Sequence, residues 1–424
     1  MDQRVSIPVT FPRDNPTIAY WQDPPDEIAD LRSTSQLPET ADVAIVGSGI
    51  TGAAIAYNIL SRAPKTKIVM LEARQACSGA TGRNGGHTKP ASYMTFSTNV
   101  ENLGLEEAIK IARLEYNTMK QVHAIAHAHS IPCDSCQTGT VDIVYDQKTW
   151  DDCVKTIELM KTSMPGDPGS QYTLWNSKDA EDKFLCPGAV GAITYEAGSI
   201  SAYKFVIGIL KICLDQGLNL QTKTPVTQLS RQGGHGWAVE TDRGTIHASK
   251  VVLATNGYTA AIYPTLQGVI VPLRGQITAQ RPGSNMPKAG LRTTYSFVYA
   301  NGFEYMIPRP PGSTHAGDIV IGGGLAIAKE EGLYQYGTVD DTVCDSEIIE
   351  YLTASPERYF GKNWGEDNPA GRIRRQWSGI MGYTADGHPL VGEIPGEPGL
   401  YICAAFQGHE QLVSQHIALS GYQI

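Results

Sequence analysis

The sequence has 424 residues, of which 41% are hydrophobic and 18% are charged. These proportions exclude an intrinsically disordered chain, and the length predicts two or more cooperating units. The 34 Lys and Arg residues stand against 43 Asp and Glu residues, giving a net charge of −9, which argues against a protein that binds nucleic acids or anionic membranes.

Neither a membrane span nor a signal peptide is predicted. The longest apolar stretch, residues 205–218, is interrupted by Lys211 and Asp215, and about 18 uninterrupted apolar residues are needed to cross a bilayer. Residues 1–12 lack the basic and then apolar pattern of a secretion signal. We therefore expect a soluble, cytoplasmic protein, and the spacing of Cys and His residues predicts no metal site.

The first forty residues predict an irregular arm. They are rich in Pro, Asp and Thr and show no sustained hydrophobic period. Tyr20 and Trp21 are the side chains expected to hold this arm against the body of the protein.

A compact pattern follows the arm. Residues 42–46 form a short apolar run with β-branched members, residues 47–52 are rich in glycine, residues 53–60 favour a helix, and residues 67–71 form a second apolar run. A strand, a glycine turn, a helix and a second strand within about thirty residues are typical of a parallel sheet.

The glycine turn carries the strongest functional signal. Gly47, Gly49 and Gly52 match G-x-G-x-x-G directly after a strand, and Glu72 follows Gly52 by twenty residues at the end of the next strand. In this pattern the glycines allow a tight turn and close approach of a pyrophosphate, and the acid binds a ribose. The sequence therefore predicts a dinucleotide site, and Glu72 disfavours the additional phosphate of NADP.

The segment after Glu72 bears on the choice between NAD and FAD. Residues 73–87 form a polar, glycine-rich loop with little apolar content. Backbone N–H groups of such a loop can bind phosphates and the edge of a flavin ring.

The rest of the chain alternates between predicted helices and strands. Helical periodicity and strand-like patterns occupy the following ranges: helices at 106–129, 150–163 and 205–216; strands at 236–240, 245–248 and 250–254; and several strands with turns between 271 and 324.

Seven motifs together resemble those of a known family. They are residues 43–52, 71–74, 78–86, 251–257, 272–276, 377–392 and 406–409. In this order they resemble FAD-dependent oxidoreductases of the D-amino acid oxidase and sarcosine oxidase type, and more narrowly the γ-glutamylputrescine oxidase-like branch. The resemblance implies an α/β fold with a Rossmann-like FAD-binding domain and a substrate domain built on a mixed or antiparallel sheet.

The resemblance also implies that both domains are assembled from separate segments. The expected division is an N-terminal arm at 1–40, FAD-binding segments at 41–100, 188–270 and 371–424, and substrate-domain segments at 101–187 and 271–370.

Cofactor-binding residues are carried over position by position. The resemblance implies the following set: Gly47, Gly49, Ile50, Thr51 and Gly52 for the pyrophosphate; Glu72 and Ala73 for the ribose; Ser78, Thr81, Gly82, Asn84 and Gly85 beside the flavin; Val226 at the adenine; Ala254, Thr255 and Asn256 along the dinucleotide; and Gly382 and Gly408 near the flavin ring.

Candidate catalytic and substrate-binding residues are fewer. Tyr305 resembles an aromatic residue that lines the substrate side, and His409 is expected at the flavin edge where negative charge develops. His87 ends the glycine-rich loop and faces either the substrate or the flavin. Arg274 and Arg309 are candidates for binding a substrate carboxylate.

The implied reaction is oxidation of a C–N bond in an amine or amino acid to an imine. Hydride passes to flavin N5, and oxygen reoxidises the flavin to give hydrogen peroxide. The expected partners are therefore a small amine or amino acid and oxygen or another electron acceptor.

Three departures from the family pattern leave alternatives open. Met381 replaces a cysteine that tethers flavin in some relatives, so FAD is expected to bind non-covalently, with His87 or Cys77 as the alternative attachment points. The segment 318–322 lacks the lysine that some oxidases use with oxygen, which keeps a dehydrogenase with another acceptor open. The sequence after Gly408 differs from the usual pattern, so an inactive, flavoprotein-like binding protein stays open as an alternative. An FAD hydroxylase is a further alternative, but it fits the motifs less well.

Overall fold

A computed structural model describes residues 2–233 and 236–408. Within these ranges, no helix is both long and apolar enough to cross a membrane. The helices of this part are α1 (Asp2–Val5), α2 (Ile50–Arg62), α3 (Phe96–Leu103), α4 (Leu105–Ala128), α5 (Gln147–Ser163), α6 (Ser177–Phe184), α7 (Ala202–Asp215), α8 (Thr259–Ile262) and α9 (Ser346–Phe360).

The strands of the same part form two large sheets and one short pair. In chain order they are β1 (Thr40–Val46), β2 (Ile68–Leu71), β3 (His87–Thr88), β4 (Thr140–Val144), β5 (Thr173–Asn176), β6 (Gly191–Tyr195), β7 (Gly198–Ser199), β8 (Asn219–Gln221), β9 (Val226–Arg231), β10 (Trp237–Thr241), β11 (Gly244–Leu253), β12 (Val271–Gln280), β13 (Thr294–Tyr299), β14 (Gly302–Pro308), β15 (Ile319–Gly322), β16 (Ile373–Tyr383), β17 (Leu390–Glu393) and β18 (Leu400–Ala404).

The first sheet has the strand order β17-β18-β11-β1-β2-β8. Its five strands from β18 to β8 run parallel, and α2 connects β1 to β2. Strands β10 and β9 extend from β11 as an antiparallel ribbon. The predicted strand, glycine turn, helix and strand are thereby confirmed, because the buried apolar runs of β1 and β2 are neighbours in a parallel sheet.

The second sheet has the order β16-β12-β15-β14-β13-β4-β6-β5. Its strands pair antiparallel except for β13 and β4, which run parallel. The sheet is therefore mixed, and the α/β fold with a mixed second sheet is confirmed. Strands β6 and β16 belong to this sheet, although the sequence assigns 188–270 and 371–424 to the FAD-binding domain; the division into domains stays a prediction.

The four predicted helices correspond to α2, α4, α5 and α7. Helix α9 has no counterpart among the predictions, because Pro356 lies inside it and interrupts the helical pattern. Its start is defined by Asp345, whose side chain accepts hydrogen bonds from the backbone N–H groups of Glu347 and Ile348.

Glycines allow the two sheets to meet closely. A Cβ on Gly382 would lie 2.5 Å from Oδ1 of Asn256, and a Cβ on Gly257 would lie 2.4 Å from the carbonyl oxygen of Met381. Real Cβ atoms do not approach so closely, so the end of β16 can lie against the segment after β11 only with glycine at both positions. This junction faces the carboxyl ends of the parallel strands.

Trp377 in β16 anchors the N-terminal arm and the glycine-rich loop to this junction. Its side chain is fully buried, and its indole N–H donates to the carbonyl oxygen of Arg83 at 2.7 Å. The ring of Tyr20 stacks on Trp377, and the indole of Trp21 donates to the carbonyl oxygen of Asn84. The expectation that Tyr20 and Trp21 hold the arm is confirmed.

Replacing Trp377 should destabilise the protein strongly. We expect Trp377→Ala to lower the free energy of unfolding by about 3–5 kcal/mol, because it leaves a large cavity and removes the donor to Arg83. The measurement is the midpoint of urea denaturation. Phe303→Ala is the matched control, since that ring is half exposed. Equal midpoints for the two variants would contradict this role of Trp377.

Candidate active site

A cavity opens at the carboxyl ends of β1, β2 and β11, where open α/β sheets bind ligands. Eleven of the predicted cofactor residues line it: Gly47, Gly49, Ile50, Thr51, Glu72, Ala73, Thr81, Val226, Ala254, Thr255 and Asn256. Seven others lie outside its lining: Gly52, Ser78, Gly82, Asn84, Gly85, Gly382 and Gly408. The structure brings the first group together, and the binding role of each residue stays a prediction.

The glycine turn between β1 and α2 tolerates no side chain at two positions. Gly47 has a φ of +106°, and a Cβ there would lie 2.4 Å from the carbonyl oxygen of Ala254. A Cβ on Gly52 would lie 2.0 Å from the carbonyl oxygen of Gly47. The turn is thus packed against the segment after β11, which leaves its backbone close to any ligand in the cavity.

The N-terminus of α2 lies at the floor of the cavity. Gly49 precedes the helix and provides no side-chain cap, while the backbone N–H of Ile50 donates to Oγ1 of Thr81 at 3.0 Å. A helix N-terminus carries about half a positive charge and attracts anions. Thr81 therefore connects the glycine-rich loop to the predicted phosphate site.

Glu72 is held by hydrogen bonds to both carboxylate oxygens. Its Oε2 accepts from the backbone N–H of Ser48 at 3.1 Å and from the Ser48 hydroxyl at 2.6 Å. Its Oε1 accepts from the backbone N–H of Arg74 at 2.9 Å. A carboxylate oxygen has two lone pairs, so Glu72 is fixed in orientation and still able to accept from a ribose hydroxyl.

One buried polar atom at the cavity tests whether a dinucleotide fits. The hydroxyl of Tyr258, which lines the cavity, has no hydrogen-bond partner within the described ranges. A buried donor without an acceptor costs about 1–3 kcal/mol. A ligand with acceptor oxygens at this position would relieve that cost, so this hydroxyl and the glycine turn fit a dinucleotide.

The guanidinium groups near the cavity are connected through Asp341. This carboxylate is fully buried and accepts from Nη1 of Arg74 at 3.0 Å, and Nε of Arg83 lies 3.9 Å away. Burial lowers the pKa of the Arg83 guanidinium to about 10, which leaves it charged at neutral pH. Of these groups Arg74 lines the cavity, next to the predicted ribose residues Glu72 and Ala73, and its charge is paired with that of Asp341.

Tyr305 lies where the second sheet meets the glycine-rich loop. A Cβ on Gly85 would lie 2.3 Å from Cε2 of Tyr305, and a Cβ on Gly322 would lie 2.3 Å from its hydroxyl oxygen. The ring therefore packs between two glycines, one of them in the predicted flavin loop. Burial, with a smaller contribution from Tyr383, raises the pKa of Tyr305 well above its usual value, so its phenol stays protonated.

Tyr383 and Tyr336 extend the aromatic surface on the same side. Their ring centroids are 6.3 Å apart in an edge-to-face arrangement. A Cβ on Gly408 would lie 3.3 Å from the Tyr383 hydroxyl and 3.4 Å from Sδ of Met381. The predicted flavin-ring positions Gly382 and Gly408 are thus both adjacent to aromatic or thioether groups.

Of the two histidines predicted for catalysis, only His87 lies within the described residues. Nε2 of His87 lies 2.6 Å from Oγ1 of Thr294, and burial, aided by the charge of Lys89, holds the His87 pKa well below its usual value. His87 is therefore neutral at physiological pH. His409 lies outside the described residues.

The two predicted carboxylate-binding arginines already have partners. Nε of Arg274 donates to Oε1 of Gln335 at 2.8 Å. Arg309 pairs with Asp134 at 2.8 Å and its guanidinium lies 4.8 Å over the ring of Trp21. Their role in binding substrate stays a prediction.

Sequence reasoning missed several residues of the cavity. They include Phe11, Pro12, Ser48, Arg74, Tyr258 and Ile380. Ser48 and Arg74 could have been predicted from the sequence, since Ser48 lies inside the glycine fingerprint and Arg74 is two residues after Glu72. No sequence motif around Phe11 and Pro12 indicates that they line the cavity, because the path of the whole arm brings them there.

Known proteins resemble this chain over most of its length. The family model for FAD dependent oxidoreductases, DAO, matches residues 42–418. The probable oxidoreductase OrdL of Haemophilus influenzae is 24% identical over 396 residues, which cover 88% of this chain and 79% of the relative. The gamma-glutamylputrescine oxidoreductase of Escherichia coli is 23% identical over 373 residues, which cover 87% of this chain and 80% of the relative.

A solved structure shares the fold. The crystal structure of glycine oxidase from Geobacillus kaustophilus superposes with a TM-score of 0.71 at 20% sequence identity, covering 90% of this chain and 93% of that one. The family model spans most of the sequence, and the resemblance noted from the motifs is confirmed. The chain therefore belongs to the DAO family of FAD dependent oxidoreductases, whose members include enzymes that act on amines and amino acids.

Proposed function

We propose that this enzyme oxidises the C–N bond of an amine or amino acid to an imine and passes the two electrons to oxygen, forming hydrogen peroxide. The observation that carries the proposal is the contact of the Tyr305 ring with Gly85, which places an aromatic wall beside the loop expected to hold the flavin. The carbon loses a hydride and the nitrogen loses a proton, so oxygen gains two electrons and two protons.

The chain's own part in this reaction is to position a neutral amine. When bound, FAD supplies the acceptor for the hydride. An aromatic, water-poor surface formed by Tyr305, Tyr336 and Tyr383 disfavours the ammonium form of a substrate, because burial penalises charge. A neutral His87 adds no charge on this side. The free amine, with its lone pair available, is therefore the form that the site favours.

The pairing of Arg309 supports an amine without a carboxylate next to the reacting carbon. A substrate carboxylate on the Nη2 group of Arg309 would have to replace the charged side chain of Asp134. Since one charge-assisted hydrogen bond would be exchanged for another, the net gain is small. An amine without that group needs no such exchange.

One observation favours a dehydrogenase as the second candidate. Asp318, at the start of the segment where some oxidases carry a lysine, is paired with Arg374 and accepts from the Tyr20 hydroxyl. No ammonium group occupies this segment. Another electron acceptor would then take the place of oxygen.

Oxygen uptake with matched substrates tests the reaction. We expect oxygen consumption with one peroxide formed per oxygen, and faster turnover of pentylamine than of norleucine, which differs by its carboxylate. Reduction of dichlorophenolindophenol without oxygen uptake would replace the oxidase by the dehydrogenase. If flavin is bound and a broad panel of amines and amino acids reacts with neither acceptor, the binding-protein alternative is favoured.

The role of Tyr305 is tested by substitution. We expect Tyr305→Ala to lower kcat/KM by about tenfold or more, equivalent to about 1.4 kcal/mol of lost transition-state stabilisation, with FAD still bound. Tyr305→Phe keeps the ring and should remain close to the wild type. Tyr334→Ala is the control, since that ring is half exposed at the surface. Unchanged steady-state kinetics in Tyr305→Ala would remove Tyr305 from the site.

We also propose that FAD binds non-covalently. Cys77 is packed in the apolar core beside α2, its backbone N–H donating to the Ser48 hydroxyl at 2.9 Å, and Nε2 of His87 faces Thr294. The visible spectrum before and after acid precipitation should therefore show the flavin bands moving to the supernatant. Bands that remain in the pellet would establish a covalent bond instead.

A further inference from the structure

The N-terminal arm precedes the segment that the family model matches, yet it reaches the cofactor cavity. The match to the family model begins at residue 42. Phe11 and Pro12 nevertheless line the same cavity as Gly47 and Glu72. The lining of the cavity is therefore completed by a part of the chain that the family pattern does not describe.

The side chain of a glutamine holds the arm just before Phe11. The side chain of Gln267 accepts from the backbone N–H of Val9 at 3.0 Å and donates to the carbonyl oxygens of Val5 and Ile7 at 2.9 Å each. Val9 is buried with Tyr258 in a small apolar cluster. Three hydrogen bonds to one side chain fix the path of the backbone just before Phe11.

Beyond Phe11 the arm is attached to the predicted cofactor loop. Nη1 of Arg74 donates to the carbonyl oxygen of Arg13 at 3.1 Å. The backbone N–H of Thr17 donates to the carbonyl oxygen of Asp341 at 2.7 Å, and Nη2 of Arg83 donates to the Thr17 hydroxyl at 2.6 Å. The arm is thus held on both sides of Phe11 and Pro12.

These attachments place Phe11 at the adenosine half of the cavity. Arg74 follows the predicted ribose residues Glu72 and Ala73, and the carbonyl oxygen that it binds lies two residues from Phe11. Phe11 nevertheless remains 38% exposed, so part of its ring surface is open beside the cavity that it lines. An aromatic ring with an open face in a nucleotide cavity is suited to contact a base or ribose.

We propose that residues 9–17 form a strap across the adenosine end of the cavity, with Phe11 and Pro12 as FAD-contacting residues that slow cofactor release. This inference rests on the proposed non-covalent binding of FAD. Pro12 restricts the backbone beside Phe11, which reduces the conformational freedom lost when the strap closes on the cofactor.

The release rate of FAD tests the strap. We expect Phe11→Ala to raise the rate at which FAD fluorescence appears after dilution by about tenfold or more, the size that loss of an aromatic contact to a base produces. Ile18→Ala is the matched control, because Ile18 lies on the same arm, is more exposed than Phe11 and does not line the cavity; its release rate should equal that of the wild type.

A second measurement uses the unaltered protein. Because binding effects are reciprocal, FAD should slow cleavage by trypsin after Arg13, whose side chain is half exposed, relative to the apoprotein. Equal release rates for Phe11→Ala and the wild type, or equal cleavage with and without FAD, would overturn the strap. Failure of the wild type to bind FAD at all, or retention of FAD through acid precipitation, would instead overturn the cofactor assignment on which it rests.

Discussion

Asp341 links three parts of the molecule that are far apart in sequence. Its side chain is fully buried and accepts from Arg74 in the loop after β2, and its backbone carbonyl accepts from Thr17 in the arm. Burying an ion pair costs desolvation, and removal of one partner leaves an uncompensated charge that costs about 3–5 kcal/mol. Asp341, Arg74 and the arm therefore depend on one another for their positions, and Arg74 in turn borders the cofactor cavity.

The two sheets contribute different residues to the site, and this difference follows from the directions of their strands. A parallel sheet gathers the carboxyl ends of its strands on one edge, and there the glycine turn, Glu72 and the segment after β11 face one cavity. The mixed sheet contributes β14, from which Tyr305 reaches Gly85. The predicted cofactor residues are thus gathered by the first sheet, and the proposed substrate wall belongs to the second, with the contact between Gly382 and Asn256 holding the two sheets close together.

Local patterns explain how much of this could be predicted. The strand, turn, helix and strand around Gly47 form a unit whose parts are neighbours in sequence, so periodicity and glycine spacing were sufficient. The family motifs then extended the prediction to Ala254 and Tyr305, whose positions agree with a junction between two sheets. Catalytic assignment went less far, because His409 lies outside the described residues and the local sequence does not reveal that Arg309 pairs with Asp134.

The residues that escaped prediction share a physical cause. Asp341 and Phe11 owe their positions to partners far away in the chain. Helix α9 is capped by Asp345 and contains Pro356, which interrupts the helical pattern of its sequence. Neither periodicity nor spacing reveals such features. Tyr258 is similar, since only the packing shows that its buried hydroxyl has no partner within residues 2–233 and 236–408. Non-local packing therefore decides the details of the cavity even where its presence is obvious from a motif.

The close packing of Gly47 against the carbonyl of Ala254 has a consequence for biosynthesis. The glycine turn lies near the beginning of the chain, but the backbone against which it packs is synthesised some two hundred residues later. Contacts of such long sequence separation require a long loop to be closed before they form. A nascent chain that has emerged only as far as α7 therefore has the glycine fingerprint but not the backbone of Ala254 against which Gly47 packs, so the turn gains this support only after β11 has been made.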